Sequence, residues 1–211
     1  LYPVLRVLAD RPGLPARFLI LGSASPELLR QTSESLAGRI QCHHLEGFAI
    51  DEAGVENYQR LWLRGGLPRS YLADNETDSF TWRREYVQTF LERDLPMLGI
   101  NVNSTTMRRF WTMLAHWHGQ VWNASEFARS FGVADTTVRN HLDRLTSALV
   151  VRQLIPWHAN IAKRQVRSPK VYIADSGILH TLLNQPEFAD MEAHPKLGAS
   201  WEGFALNQVR L

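Results

Sequence analysis

The residues with the clearest chemical bias lie between Arg144 and Ala174. That stretch contains no acid but carries Arg144, Arg152, Lys163, Arg164, Arg167 and Lys170. Just before it, Arg139, Asn140 and Arg144 fall on one side of a helical pattern whose other side is Val138, Leu142 and Leu145. Guanidinium and ammonium groups collected on one surface are what a phosphate backbone requires. Arg139, Asn140, Arg144, Lys163, Arg164 and Arg167 are therefore the candidate nucleic-acid-binding residues. Asp135 and Asp143 on the same helix, with Trp157 and Ile161 in the following loop, weigh against that surface.

Other chemistries find less support. The eight histidines show no ligand spacing, and His116 and His118 point different ways on a helix. Asp175, in "IADSG", is read as a helix N-cap in preference to a metal ligand, because an apolar run follows it. No Gly-x-Ser-x-Gly elbow and no Cys/His nucleophile pair is present. No G-x-x-x-x-G-K-[ST] loop occurs either, and Gly65-Gly66 and "GSAS" lack the lysine and spacing that such a loop needs.

The elements that would position these groups follow from periodicity and breakers. Residues 3 to 10 form a helix stopped by Arg11-Pro12-Gly13-Leu14-Pro15, and the unbroken apolar run Phe18 to Leu21 reads as a strand buried on both faces. Helical patterns dominate from residue 51 to 118, with Met107, Phe110, Trp111 and Leu114 on one face of a helix capped by Ser104. Then come two short helices in "NASEFARSFGVADTTVRNHLDRL", with Gly132 at the turn and Asp135 as the second cap. "LVVRQLI" and "KVYIA" complete a hairpin around the loop Pro156 to Pro169, which makes a winged helix-turn-helix.

Composition sets limits. A chain of 211 residues with 45% apolar residues suits one large domain or several small ones. Formal charge of only +2 makes no global demand for a polyanion. One cysteine, Cys42, excludes an internal disulfide framework and suits a reducing cytoplasm. No apolar run approaches the roughly 20 residues that span a bilayer. Both ends lie within apolar-periodic stretches, which is expected of a fragment of a longer protein.

In order along the chain, "RFLILGSAS", "SLAGRI", "GGLP", "YVQTFLERDLP", the helix pair, "SPKVYIADSG" and "WEGFALNQV" resemble a prokaryotic family. It is the family of AAA+-like P-loop ATPases that carry a C-terminal domain of unknown function. The resemblance implies an α/β and mostly helical multi-domain fold: a partial parallel-sheet ATPase core at 1–50, a helical lid at 51–118, a winged helix at 119–180 and the start of a C-terminal domain at 181–211. It further implies ATP and Mg2+ in the intact parent, none for this chain alone, since the Walker segments would precede Leu1. Ser23 would sense a γ-phosphate or merely turn the chain. Arg39 would reach a phosphate or simply stand on the surface. Glu202 resembles the glutamate that opens a nuclease-like portion, without a second acid or lysine to complete it. The implied activity couples ATP to a nucleic-acid or protein partner, with homo-oligomers open. The alternative is a non-enzymatic winged-helix DNA-binding regulator.

Overall fold

The computed structural model describes residues 2–13, 17–19, 41, 43, 45–156 and 168–210. The chain divides into two units, 1–45 and 46–211. In the first, the expected helix is present as α1 (Tyr2–Ala9), while residues 17–19 lie in no strand. The remainder of the expected buried strand lies outside the described residues.

The second unit is mostly helical. Its first half holds α2 (Ile50–Ala53), α3 (Tyr58–Arg64), α4 (Pro68–Tyr71), α5 (Glu76–Thr89), a π-type turn at Phe90–Asp94, α6 (Leu95–Met97) and α7 (Ser104–His116). Its second half begins with β1 (Gln120–Val121), α8 (Ala124–Phe131), α9 (Asp135–Ser147), β2 (Val151–Leu154) and β3 (Lys170–Ile173). It ends with α10 (Ser176–Leu182), α11 (Phe188–Glu192) and α12 (Leu197–Arg210). The described sheet has three strands in the order β1-β3-β2, and both pairings are antiparallel. No parallel sheet occurs among the described residues, so the parallel core expected from the sequence is not part of the described fold.

Local chemistry explains most boundaries. Asn75, Asn103, Asn123 and Asp175 cap α5, α7, α8 and α10, each accepting a backbone N–H at the third helical residue. Two caps expected from the sequence move by one position. Asn103, not Ser104, caps α7, and Ala134 precedes α9 while Asp135 instead accepts the Ser125 hydroxyl at 2.7 Å. Gly132 ends α8 in the left-handed conformation, φ 65°, which a Cβ would oppose. Trp122 continues the β1 edge by donating to the Pro169 carbonyl.

The larger of two apolar cores joins the two halves of this region. Phe90, Met107, Phe110, Trp111 and Leu114 from the helical half pack with Phe127, Val138, Leu142 and Leu145 of the helix pair. Val151, Val171 and Ile173 of the sheet, and Ile178 and Leu179 of α10, belong to the same cluster. A smaller core gathers Leu61, Trp62, Leu63, Tyr71, Met191 and Phe204. Leu142 is 2% exposed within the larger core. Truncating a buried leucine removes transfer energy and leaves a cavity, so Leu142→Ala is expected to cost about 3 kcal/mol in urea denaturation. An unchanged midpoint would refute the packing of α9 against the sheet.

Candidate functional site

Three groups of polar residues stand out from this framework. The first is the outward face of α9. Arg139 and Asn140 are exposed and Arg144 is half-buried, so the three residues expected on one surface do lie opposite the buried Val138, Leu142 and Leu145. None of their side chains makes a hydrogen bond or ion pair with another described residue. Arg144 stands close enough to His141 to press its pKa down, after burial, the larger cause. Lys163, Arg164 and Arg167 lie outside the described residues, as do Ser23 and Arg39.

The acid-free stretch is not acid-free in space. Arg152 on β2 pairs with Glu46, more than a hundred residues earlier in the chain. Lys170 on β3 pairs with Glu202 of α12 at 2.8 Å. Two of the six basic residues are thus already matched by carboxylates, which leaves α9 as the described free basic surface of that region. Asp143 on α9 accepts from Gln153 at 3.2 Å, so part of its charge is turned toward β2.

The second group surrounds Glu202. Its Oε1 accepts from Lys170 Nζ and from the Tyr172 hydroxyl, both at 2.8 Å. The Lys170 and Tyr172 hydrogen bonds hold this carboxyl below the usual range, Lys170 being the largest cause and partial burial opposing it. Tyr172 meets the His118 ring edge-on at 5.2 Å between centroids. His118 Nδ1 accepts the Ile173 backbone N–H at 3.0 Å, which fixes the proton on Nε2. That nitrogen is buried without a hydrogen-bond partner, against Gly203. Burial lowers the His118 pKa to about 4, with the Ala199 backbone and Glu202 working the other way.

The third group is a buried seam joining α3, α5 and α10. Asp175 accepts from the Ile178 N–H and from the Gly66 N–H, each at 2.9 Å, so it is a cap that also reaches 109 residues back. The first glycine in "RGGLP" is explained by that reach and the second by the Phe48 backbone, which a Cβ at Gly66 would crowd. Gly65 has φ 76°, and a Cβ there would collide with the Asp175 carboxylate. Gly177 is equally constrained, because its Cβ would strike the Arg64 carbonyl.

Arg83 is fully buried beneath this seam. Its Nη1 donates to the Leu63 and Gly177 carbonyls at 2.8 and 2.9 Å, while Nη2 finds no partner. Burial lowers its pKa to about 10, against the attraction of Asp175 and then Glu76. The guanidinium therefore remains charged at neutral pH. Burial raises the Asp175 pKa, opposed by the Ile178 and Gly66 N–H groups and by Arg83. His180 completes the seam, with Nδ1 3.0 Å from the Leu63 carbonyl and Nε2 2.7 Å from Ser200 Oγ. His180, bonded at both ring nitrogens, fixes the mutual position of the helices it joins.

Sequence reasoning located Asp175 as a cap but missed Arg83, His180 and Ser200. A signal was present. Ser79, Arg83 and Val87 share a stripe at four-residue spacing, and Arg84 next door points to solvent. No group of three or more potential metal ligands occurs among the described residues. No described helix is long and apolar enough to cross a membrane.

Comparison with known proteins places this geometry in a family. The model of a domain of unknown function, DUF8612, matches residues 55–189. The uncharacterized proteins Mb2031c of Mycobacterium bovis and Rv2008c of Mycobacterium tuberculosis are each 59% identical over 209 residues. These alignments cover 99% of this chain and 47% of each relative, so the chain spans about half the length of the relatives it matches. No solved structure matches. The chain belongs to the DUF8612 family.

Proposed function

We propose that this DUF8612 member is the lid and winged-helix part of an AAA+-like ATPase. ATP with Mg2+, bound by segments of the longer protein, would drive a change in domain arrangement felt by a nucleic-acid or protein partner. The supporting observation is the shared core that joins the helical half to the helix pair and hairpin. A DNA-reading module attached for recognition alone would carry its own core and a separate linker. Here Phe110 touches Phe127, Phe131 and His141 edge-on, so α7 cannot shift without carrying α8 and α9. A body of this kind transmits a displacement from one end to the other, which is the requirement for coupling. Ser23 and Arg39 are the proposed nucleotide-sensing residues of that assembly.

The second reading, a non-enzymatic DNA-binding regulator, is favoured by the free face of Arg139, Asn140 and Arg144. One pair of measurements on a protein of the relatives' full length separates the two. The ATPase reading expects Mg-ATP turnover that falls in Ser23→Ala while nucleotide binding persists. The regulator reading expects no turnover, with duplex DNA binding whose log-log salt slope becomes shallower by about 2 in Arg139→Gln/Arg144→Gln. Absence of turnover together with absence of DNA binding would remove both.

A further inference from the structure

We infer that a hollow between α5, α7 and the end of α10 is a binding site for a nucleoside 5′-monophosphate group, either free or at the end of a nucleic acid. The hollow has a volume of about 660 Å³. That is within the range of roughly 300–1,000 Å³ usual for small-ligand sites. Its walls carry one arginine each, Arg84 from α5 and Arg108 from α7. Both are exposed, and neither forms a hydrogen bond or ion pair with a described residue, although Glu85 and Glu92 line the same hollow.

Two guanidinium groups left unmatched on the lining of one hollow, with carboxylates available nearby, are suited to receive an anion from outside. Guanidinium forks suit the oxygens of phosphate, and the Thr112 hydroxyl on the same lining supplies a neutral donor, while Thr181 donates to the Gly177 carbonyl at 2.8 Å. A bare anion would leave the rest of the hollow unused. Phe80 lines it as a half-buried ring, with the Arg83 guanidinium 5.6 Å from its centroid. An aromatic face at this position offers a stacking platform for a base. Glu85 and Glu92 are acceptors suited to ribose hydroxyls. A longer polyanion running through the hollow would meet those two carboxylates, so a single nucleotide unit fits the charge pattern better than a continuous strand.

The test uses the 211-residue chain with four probes at millimolar concentration: uridine, inorganic phosphate, UMP and AMP, followed by heteronuclear NMR. A 5′-phosphorylated oligothymidylate against its unphosphorylated form then distinguishes a nucleic-acid end from a free nucleotide. The expected result is saturable binding of the monophosphates, at least tenfold weaker in Arg84→Gln/Arg108→Gln. Phe80→Leu should weaken the monophosphates and leave inorganic phosphate unaffected. Both arginines are exposed, so the double variant should melt like the parent chain. Monophosphate binding that survives the double variant would overturn the assignment, as would no saturable binding. Phosphate or uridine alone binding as tightly as UMP would also overturn it. ATP turnover is not among the readouts, so failure here is distinguishable from failure of the ATPase reading.

Discussion

Replacing Asp175 with alanine is expected to cost about 4 kcal/mol of folding stability. Three losses combine at one position. The N-cap of α10 disappears, worth about 1 kcal/mol, because Ile178 N–H no longer has the carboxylate oxygen at 2.9 Å. The Gly66 N–H is left inside the protein without its acceptor. Arg83, whose strongest attraction is to Asp175, is left as a buried cation. Asp175 is half-buried and makes no ion pair with Arg83, so this third loss is smaller than the about 3–5 kcal/mol of breaking a fully buried pair. Asp175→Asn separates these terms. Its amide oxygen can keep the α10 cap, but its NH2 group faces the Gly66 donor and brings no charge to Arg83. It should lose about 2 kcal/mol, midway between the parent and alanine. Urea denaturation followed by circular dichroism measures both. Equal stabilities for all three chains would show that the seam carries no energy.

The seam also marks the limit of what the sequence discloses. The helix pair was legible because Val138, Leu142 and Leu145 recur at helical spacing and Gly132 needs a left-handed conformation. The hairpin was legible because β-branched runs flank the loop, and the pairing of Val151 with Ile173 realises it. β1 was not legible. Two residues contain no period, and Gln120–Val121 is a strand only because Val171 and Lys170 lie opposite. The α7 cap moved by one residue because Asn and Ser both suit the position, and only backbone geometry chooses Asn103 over Ser104. The function of "RGGLP" was hidden because its partner, Asp175, is distant in sequence. Charge counting failed for a similar reason: Glu46 and Glu202 neutralise Arg152 and Lys170 from outside the stretch counted. Of the proposed site residues, Ser23, Arg39, Lys163, Arg164 and Arg167 lie outside the described residues, so their roles rest on the resemblance and on charge pattern.

The fold should lose stability steeply in acid, well above the range where most carboxylates are protonated. His118 and His180 are both buried and both bonded as neutral rings. Trp62 Nε1–H donates to Ser200 Oγ at 2.9 Å, so the Ser200 hydroxyl is free to donate to His180 Nε2. His180 therefore carries its proton on Nδ1, directed at the Leu63 carbonyl. Burial is the main cause that holds its pKa down to about 3, with Arg83, His118 and His194 adding to the effect and the Leu63 carbonyl opposing it. His118 stands at about 4, with Lys196 lowering it further and Ala199 and Glu202 opposing. In the unfolded chain both rings titrate near about 6.5. Between the unfolded and folded values the unfolded state binds more protons, so stability is fully present above about pH 6.5 and falls as pH drops. Each histidine contributes a slope of about 1.4 kcal/mol per pH unit in that window. Together they remove on the order of 5 kcal/mol between pH 6.5 and 4.5. His118→Asn isolates one of them, because an amide oxygen can still accept the Ile173 N–H now bonded to Nδ1. At pH 7 the variant should be less stable by about 1 kcal/mol, since packing around the ring is lost. Near pH 4.5 it should match or exceed the parent chain, having no proton to exclude. Stability curves for the two chains that stay parallel from pH 7 to 4.5 would mean that His118 is not held neutral by the fold.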